Sequence, residues 1–466
     1  MMRRVLVPVL SLALAGTAAA AISVQPSGPA PAPLPLPLSA PVYVLAGGGY
    51  GHGVGLNQYG AFGQAKASRG YRDILAFYYP GTELSKASGT KVRVLIGDGR
   101  PAVKLASPVP FSIRDGSGVV AELDPGELIV RPDLRIVVAG KPVQLPGPLS
   151  FVPGKGAPLE LGGKEYRGEL QISVVGSKLQ VIDVLGVDAY LMGVVPGEMP
   201  KEWPAAALQA QAVAARSYTL ASLVKSKPFD LYSDTRSQVY YGVATESPST
   251  TAAVKATRGQ ILTYGGKVAT AFYYSSSGGR TASSKDVFGV VTPYLQSRDD
   301  PWDVLSPYHR WIPRSFTAGT LGQAFRLSGP VADVEVTPTD SGRPESVTLI
   351  KTNGARVLLR AAEVRARLGL RSTAFTLGVL RIARPSTPVA PETPFIVSGI
   401  ARDVRDPVLE KFGANGTWLT SVKLKPAPDG TFVATVRPKL TATYRLVADG
   451  VIGPALTITV VPGVAQ

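Results

Sequence analysis

The sequence predicts an α+β fold: a strand-rich domain with a few helices, followed by a small all-β, immunoglobulin-like module. Three observations carry this. Short alternating apolar runs dominate, one Ala-rich segment has helical spacing, and two Pro-rich stretches bracket the bulk of the chain. Residues 1–21 read as a secretory signal, with Arg3 and Arg4, an apolar stretch from Val5 to Ala15 and the small-residue run Ala18 to Ala21, so cleavage is expected near Ala20. An uncleaved anchor is the alternative, and no other apolar run is long enough to span a membrane. Residues 22–41 are Pro-rich and predict an extended spacer.

From residue 42 to 384 no comparable break occurs. Strands are expected at Val42 to Leu45, Lys91 to Ile96, Glu127 to Val130, Leu170 to Val175 and Leu179 to Val184. Leu56 to Ser68 and Tyr71 to Tyr78 predict a helical hairpin broken at Gly70, and Ala361 to Leu368 a further helix. Pro204 to Val224 is the Ala-rich helix, with Pro at its start and a small-residue stripe through Leu208, Ala212, Ala215 and Thr219. Residues 385–394 form a second Pro-rich linker. Residues 395–466 alternate again, at Phe432 to Val436, Thr443 to Val447 and Leu456 to Val461, and predict a β-sandwich module with a spacer or wall-contact role.

Composition narrows the chemistry. At 466 residues the chain has room for two to four domains at roughly 100 to 200 residues each. Its 49 Lys and Arg against 33 Asp and Glu give +16, which favours anionic surroundings: nucleic acid, anionic lipid or acidic wall polymers. The absence of cysteine excludes disulfides, thiol nucleophiles and Cys zinc sites, and with only His52 and His309 a three-His or HExxH metal site is excluded as well. The glycines of Gly47 to Gly55 do not fall in a GxGxxG pattern, and no Gly-Lys is followed by Ser or Thr, so nucleotide binding is not indicated.

Three segments can carry chemistry. In GHGVGLNQYGAFGQA, His52 stands between glycines that leave its ring unshielded; a glycine turn with a solvated His is the bland alternative. In VVPGEMPKEWPAAALQAQAVAAR, Glu198 is expected in a stiff loop entering the Ala-rich helix, as a catalytic acid or as a helix-capping carboxylate. Gln211 and Arg216, long polar residues in so apolar a helix, need partners if buried and otherwise lie on its exposed face. In AFYYSSSGGRTASSKDVFG an aromatic strand runs into hydroxyls and backbone donors that suit a polyhydroxylated ligand, or equally a capped hairpin loop. Beyond it lie Asp299, Asp300 and Asp303, and Trp302, Tyr308 and Trp311 as sugar-stacking or core aromatics.

Together GHGVGLNQYGA, YRGEL at 166–170, VVPGEMPKEWPAAALQAQAVAARSYTL, SDTRSQVYYG at 233–242, SSSGGRT and SPYHRW resemble the stage II sporulation protein D family, the SpoIID/LytB domain, over most of residues 42–380. The resemblance implies an exported lytic transglycosylase of the bacterial envelope or exterior. Such an enzyme cleaves peptidoglycan glycan strands between MurNAc and GlcNAc to 1,6-anhydro ends, with Glu198 as general acid and base and no cofactor. It places His52, Gln58, Arg216, Gln238, Tyr240, Ser277, Gly278, Gly279 and Arg280 around the cleft as substrate-binding residues. The LytB side of the family implies the alternative, a noncatalytic glycan-binding enhancer of a cell-wall amidase. A nucleic-acid partner has no motif to support it. One departure concerns order: the GHGVG segment ordinarily closes the domain, whereas here it opens it, so residues 42–84 read as the usual end of the domain in a circular permutation. Some relatives bind zinc through cysteines, and with none here that site is not carried over.

Overall fold

The structure is a computed structural model that describes residues 24–25 and 37–462, apart from 88, 117, 139, 155, 225 and 385–387. The expected signal segment and most of the first spacer lie outside the described residues. The described chain forms two compact units, one of residues 55–273 with 293–295, the other of residues 37–54, 274–292 and 296–462. The fold class is α+β, strand-rich as expected. The line between the units falls at Gly55 and at Tyr273, inside the stretch that the sequence reads as one domain.

The first unit is built on a seven-stranded sheet. Alternation in Lys91–Arg100 buries Val92 and Val94, and the strand pairs antiparallel with Lys178–Gly186, setting Leu95 opposite Ile182 and Val92 opposite Leu185. Leu231–Tyr232 lies parallel on its other side, and Glu169–Val175, Leu149–Val152, Phe111–Asp115 and Gly118–Leu123 extend the sheet outward. A four-stranded sheet of Lys164–Tyr166, Leu159–Leu161, Val103–Ser107 and Gly126–Val130 contributes Leu105 and Leu159 to the same core.

Five helices belong to this unit: α1 (Gln58–Lys66), α2 (Tyr71–Tyr78), α3 (Val187–Glu198), α4 (Ala205–Ala221) and α5 (Pro248–Ala256). The Ala-rich helix α4 is central and packs against the other four. Small side chains let neighbouring backbones come close, so α4 is buried almost all round, from Ala207 and Leu208 to Thr219. Helix α3 was not expected. Its buried residues Val187, Tyr190, Leu191, Val194 and Val195 nonetheless follow helical spacing.

In the second unit Val42–Gly47 pairs with Phe375–Ile382, Val42 opposite Leu380, and on its other edge with Arg314–Thr317. Alternation sends Tyr43 and Leu45 into a core with Phe325, Val334 and Leu349, and Val44 into a second core with Leu380, Leu446 and Ile458. The sheet runs on through Phe395–Arg402 and Thr431–Val436. Opposed to these strands across the second core is a sheet ordered Trp418–Lys423, Val408–Phe412, Ala442–Ala448 and Val451–Ile458. The C-terminal residues therefore share both a sheet and a core with strands that precede them, despite the Pro-rich stretch between. The end of the first spacer is also seated: the Ser39 N–H donates to the Ile382 carbonyl at 2.8 Å, and Leu38 bridges to Ala383.

Candidate active site

Glu198 is the last residue of α3, not a residue of a loop feeding α4. Pro196 lies in the final turn, where its missing N–H and ring disfavour continuation, and Gly197 follows exposed. The placement reverses the expected dipole effect. A helix C-terminus carries partial negative charge, so it opposes ionisation of Glu198 where a helix N-terminus would favour it. Burial acts in the same direction and holds the carboxyl above the usual carboxylate range. Hydrogen bonds from the Tyr273 hydroxyl, the Gln58 side chain and the Val239 N–H pull it partly back.

The Tyr273 hydroxyl lies 3.2 Å from Glu198 Oε1, and its orientation follows from Gln238, which is 1% exposed. One face of the Gln238 amide meets the Ala215 carbonyl, which can only accept, so Nε2 must point there, at 3.4 Å. The same Nε2 donates to the Tyr273 oxygen at 2.9 Å, while Oε1 accepts from the hydroxyls of Thr219 at 2.6 Å and Tyr190 at 3.3 Å. With its lone pairs engaged by Gln238, Tyr273 turns its own O–H to Glu198. Glu198 Oε1 is then an acceptor.

Of the other expected site residues in this unit, Gln58 reaches Glu198 and also stands 3.5 Å from Gln211 Oε1. Gln211 is fully buried, and among the described residues its Nε2 has no hydrogen-bond partner. Arg216 is fully buried too, and its guanidinium is spent inside the fold, on Asp188 at 2.7 and 2.8 Å and on the carbonyls of Gln260, Val254 and Ala212. Tyr240 donates to Asp183 Oδ2 at 2.8 Å, not to Glu198, and burial pushes the Asp183 carboxyl up to about 7. Tyr273 itself was missed, because nothing in an AFYY strand marks one ring over its neighbours. Near Glu198 in sequence, Trp203 stacks on Phe62 at 4.8 Å and meets Tyr59 edge-on at 5.0 Å, and all three rings are half-exposed.

His52 and residues 277–280 belong to the second unit. His52 Nδ1 accepts the Val54 N–H at 3.0 Å, and its ring packs on Tyr274 and Phe288. The SSSGGR loop wraps Asp303, which is fully buried. Asp303 accepts from Ser276 Oγ at 2.9 and 3.1 Å, from the Ser277 N–H at 3.1 Å and from the Gly278 N–H at 2.9 Å, with His309 Nδ1 at 3.0 Å. The Ser277 Oγ takes the Gly279 N–H. Backbone donors that the sequence offers to a ligand are thus engaged by an internal carboxylate. Arg280 pairs with Asp299 at 2.5 Å. Trp311 donates its indole N–H to the Gly49 carbonyl, and Tyr308 stacks edge-on with Tyr50. Among the described residues no group of three or more His, Asp and Glu could hold a metal ion.

Fold and site together define an α+β protein with a partly buried carboxyl at the end of one helix, oriented by a tyrosine–glutamine pair. Comparison with known proteins matches the family described as SpoIID, stage II sporulation protein, over residues 175–264, which span α3, α4 and α5. Over those residues the chain is similar to the stage II sporulation protein D family. It is 31% identical over 225 residues to stage II sporulation protein D of Bacillus subtilis, covering 44% of this chain and 64% of that one. It is 41% identical over 138 residues to an uncharacterised protein of Brachyspira hyodysenteriae, covering 29% of this chain and 38% of the relative. It is also 40% identical over 113 residues to the amidase enhancer of Bacillus subtilis, covering 24% and 15%. The chain thus spans less than two thirds of the length of these relatives.

Proposed function

We propose that the protein is an exported peptidoglycan lytic transglycosylase with Glu198 as its single general acid and base. The observation that carries this reading is a carboxyl kept toward its protonated form by burial and a helix C-terminus, yet reached by a defined donor on Oε1. The Glu198 carboxyl proton passes to the glycosidic oxygen as the bond from C1 to that oxygen breaks. The MurNAc C6 hydroxyl then attacks C1, and its proton returns to Glu198, closing the 1,6-anhydro ring. One carboxyl suffices because no water is activated, unlike hydrolases that pair two. The half-exposed rings of Tyr59, Phe62 and Trp203 support sugar binding beside it. The order of segments reads, on this proposal, as a permuted SpoIID/LytB domain, and the pairing of Val42–Gly47 with Phe375–Ile382 supports it.

The test is mass spectrometry of purified glycan strands, denuded or peptide-bearing, after incubation with the protein. Anhydro-muramic ends are expected. Glu198→Gln should retain glycan binding and lose roughly two or more orders of magnitude in rate. Anhydro ends formed by that variant at a near-normal rate would remove Glu198 from the mechanism. A second reading, a noncatalytic enhancer of a cell-wall amidase, is favoured by the similarity to an amidase enhancer. It predicts no cleavage by the unmutated protein alone and faster cleavage by an added amidase.

A further inference from the structure

The second unit contains a carboxylate and imidazole pair that the mechanism proposed for Glu198 does not use. Asp303 is fully buried, and backbone N–H groups hold both of its oxygens, Ser277 at 3.1 Å on Oδ1 and Gly278 at 2.9 Å on Oδ2, with the Ser276 hydroxyl at 2.9 and 3.1 Å. His309 Nδ1 meets the same Oδ2 at 3.0 Å. A carboxylate only accepts, so Nδ1 carries the imidazole proton, and in the neutral ring the lone pair lies on Nε2. Among the described residues no group bonds to that nitrogen, and the side chain is 22% exposed. The other histidine is set the opposite way. His52 Nδ1 accepts the Val54 N–H, which puts its neutral ring's proton on Nε2.

The backbone holds this ring in place. The His309 N–H donates to the Ser306 carbonyl at 3.0 Å, and Gly279, at φ +102°, lets the SSSGGR loop pass the ring edge, where a Cβ would stand 3.3 Å from Cε1. An imidazole fixed through Nδ1 by a buried carboxylate, with Nε2 open, is a general base with its orienting group. No Ser or Thr hydroxyl of the described residues is bonded to Nε2, so the nucleophile comes from solvent. His309 lines a cavity of about 490 Å³ with Ser277, Gly278, Arg280 and Arg310. Arg280 is matched by Asp299, whereas Arg310 is exposed with no acid within ion-pair distance among the described residues. One such cation suits the single oxyanion of acyl transfer, and phosphoryl transfer, which spreads charge over three oxygens, calls for more.

We propose that Asp303 and His309 form a second catalytic centre, a water-activating dyad that hydrolyses carboxylic esters of small alcohols or sugars. Water gives a proton to His309 Nε2 as its oxygen bonds to the acyl carbon, and Arg310 is the cation available to the oxyanion. Collapse of that intermediate breaks the bond from the acyl carbon to the ester oxygen, and the imidazolium returns its proton to the departing oxygen. Ester and water become acid and alcohol, with no redox change. Asp303 is a positioning residue here, acting through the ring. The reaction makes no use of Glu198 and does not rest on the transglycosylase reading.

The experiment gives the whole chain nitrophenyl acetate and O-acetylated N-acetylglucosamine, and follows release of nitrophenolate and acetate. Turnover of both is expected, and His309→Gln should cut kcat at least about a hundredfold with KM little changed. ¹⁵N NMR of the unmutated chain should show neutral His309 protonated on Nδ1 and His52 protonated on Nε2, the two rings being assigned by the loss of one set of signals in His309→Gln. Asp303→Asn removes the charged acceptor, so kcat should fall at least about tenfold and the downfield Nδ1 proton resonance should move upfield or vanish, a change that a purely structural role would not require. The tautomer needs no variant, since backbone assignment also separates the two rings, so the proposal stays open to refutation if either variant does not fold. A neutral His309 protonated on Nε2, ester turnover unchanged in His309→Gln, or turnover by the whole chain no faster than by the same concentration of free imidazole would each overturn it.

Discussion

At Glu198 the balance between burial and three donors sets when a proton is available. Removing the Tyr273 O–H takes away an interaction that favours the ionised form, so Tyr273→Phe should raise the Glu198 pKa further. The measurement is carboxyl ¹³C NMR titration, and on the proposed mechanism the alkaline limb of the rate profile should move up with it. An unchanged or lower midpoint would mean that Tyr273 does not donate to Glu198. Asp183 makes a separate prediction. Its folded pKa of about 7 lies above the ordinary aspartate value of 3.8, so the folded state holds more protons between those values. Stability should therefore rise as pH falls from about 7 toward 4, by up to roughly 1.4 kcal/mol per pH unit for this group. Asp183→Asn, which keeps an acceptor for Tyr240, should flatten that slope in denaturant titrations at several pH values. Glu198, raised in the same sense, leaves a residual slope. What the sequence reveals at this scale is uneven. Gln211 and Arg216 stand out because long polar groups interrupt an apolar helix, Glu198 because it lies between Pro196-Gly197 and Pro200, and Gln58 and Gln238 only through the family resemblance. Tyr273 and Asp303 do not, because one is a ring among rings and the other an acid among acids, and only the folded chain brings them to their partners.

The helices show a similar division. Residues Tyr71–Tyr78 and Ala361–Leu368 form helices with the expected bounds, and α4 ends at Ala221, short of the expected Val224. Helix α3 escaped because Pro196-Gly197 at its end reads as a loop, although the spacing of Val187, Tyr190, Leu191, Val194 and Val195 carries the signal. Gly193 lets α3 lie close to its neighbours: a Cβ there would stand 2.7 Å from both the Gly242 carbonyl and the Tyr240 ring. Gly193→Ala gains about 1 kcal/mol of helix propensity but forces a shift against backbone, which costs roughly 1 to 3 kcal/mol. The clash should win. Urea denaturation is expected to show a net loss, and a more stable variant would show that the neighbouring turn yields freely.

For the whole chain, the Pro-rich residues 385–394 look like a boundary in composition, and a passive C-terminal module would come away cleanly there. The structure argues otherwise. Val44, Leu380 and Ile382 are fully buried in a core completed by Val397, Leu446 and Ile458. Deleting residues 395–466 would return those side chains to water, and at about 25 cal/mol per Å² of apolar surface such a loss rivals the net stability of a typical domain. The truncated protein should aggregate or melt well below the intact one by calorimetry, whereas an equal melting temperature would restore the module's independence. Composition could not show this, because a linker is visible in sequence and a shared core is not. The same architecture imposes a timetable. The strand Val42–Gly47 leaves the ribosome more than 330 residues ahead of Leu380, about 20 to 70 s at ordinary synthesis rates. For most of that time, until Arg314–Thr317 is made, Tyr43, Val44 and Leu45 form a sticky segment with neither edge paired. Synthesis and assembly therefore run in opposite orders, and one of the earliest strands made is among the last to be secured.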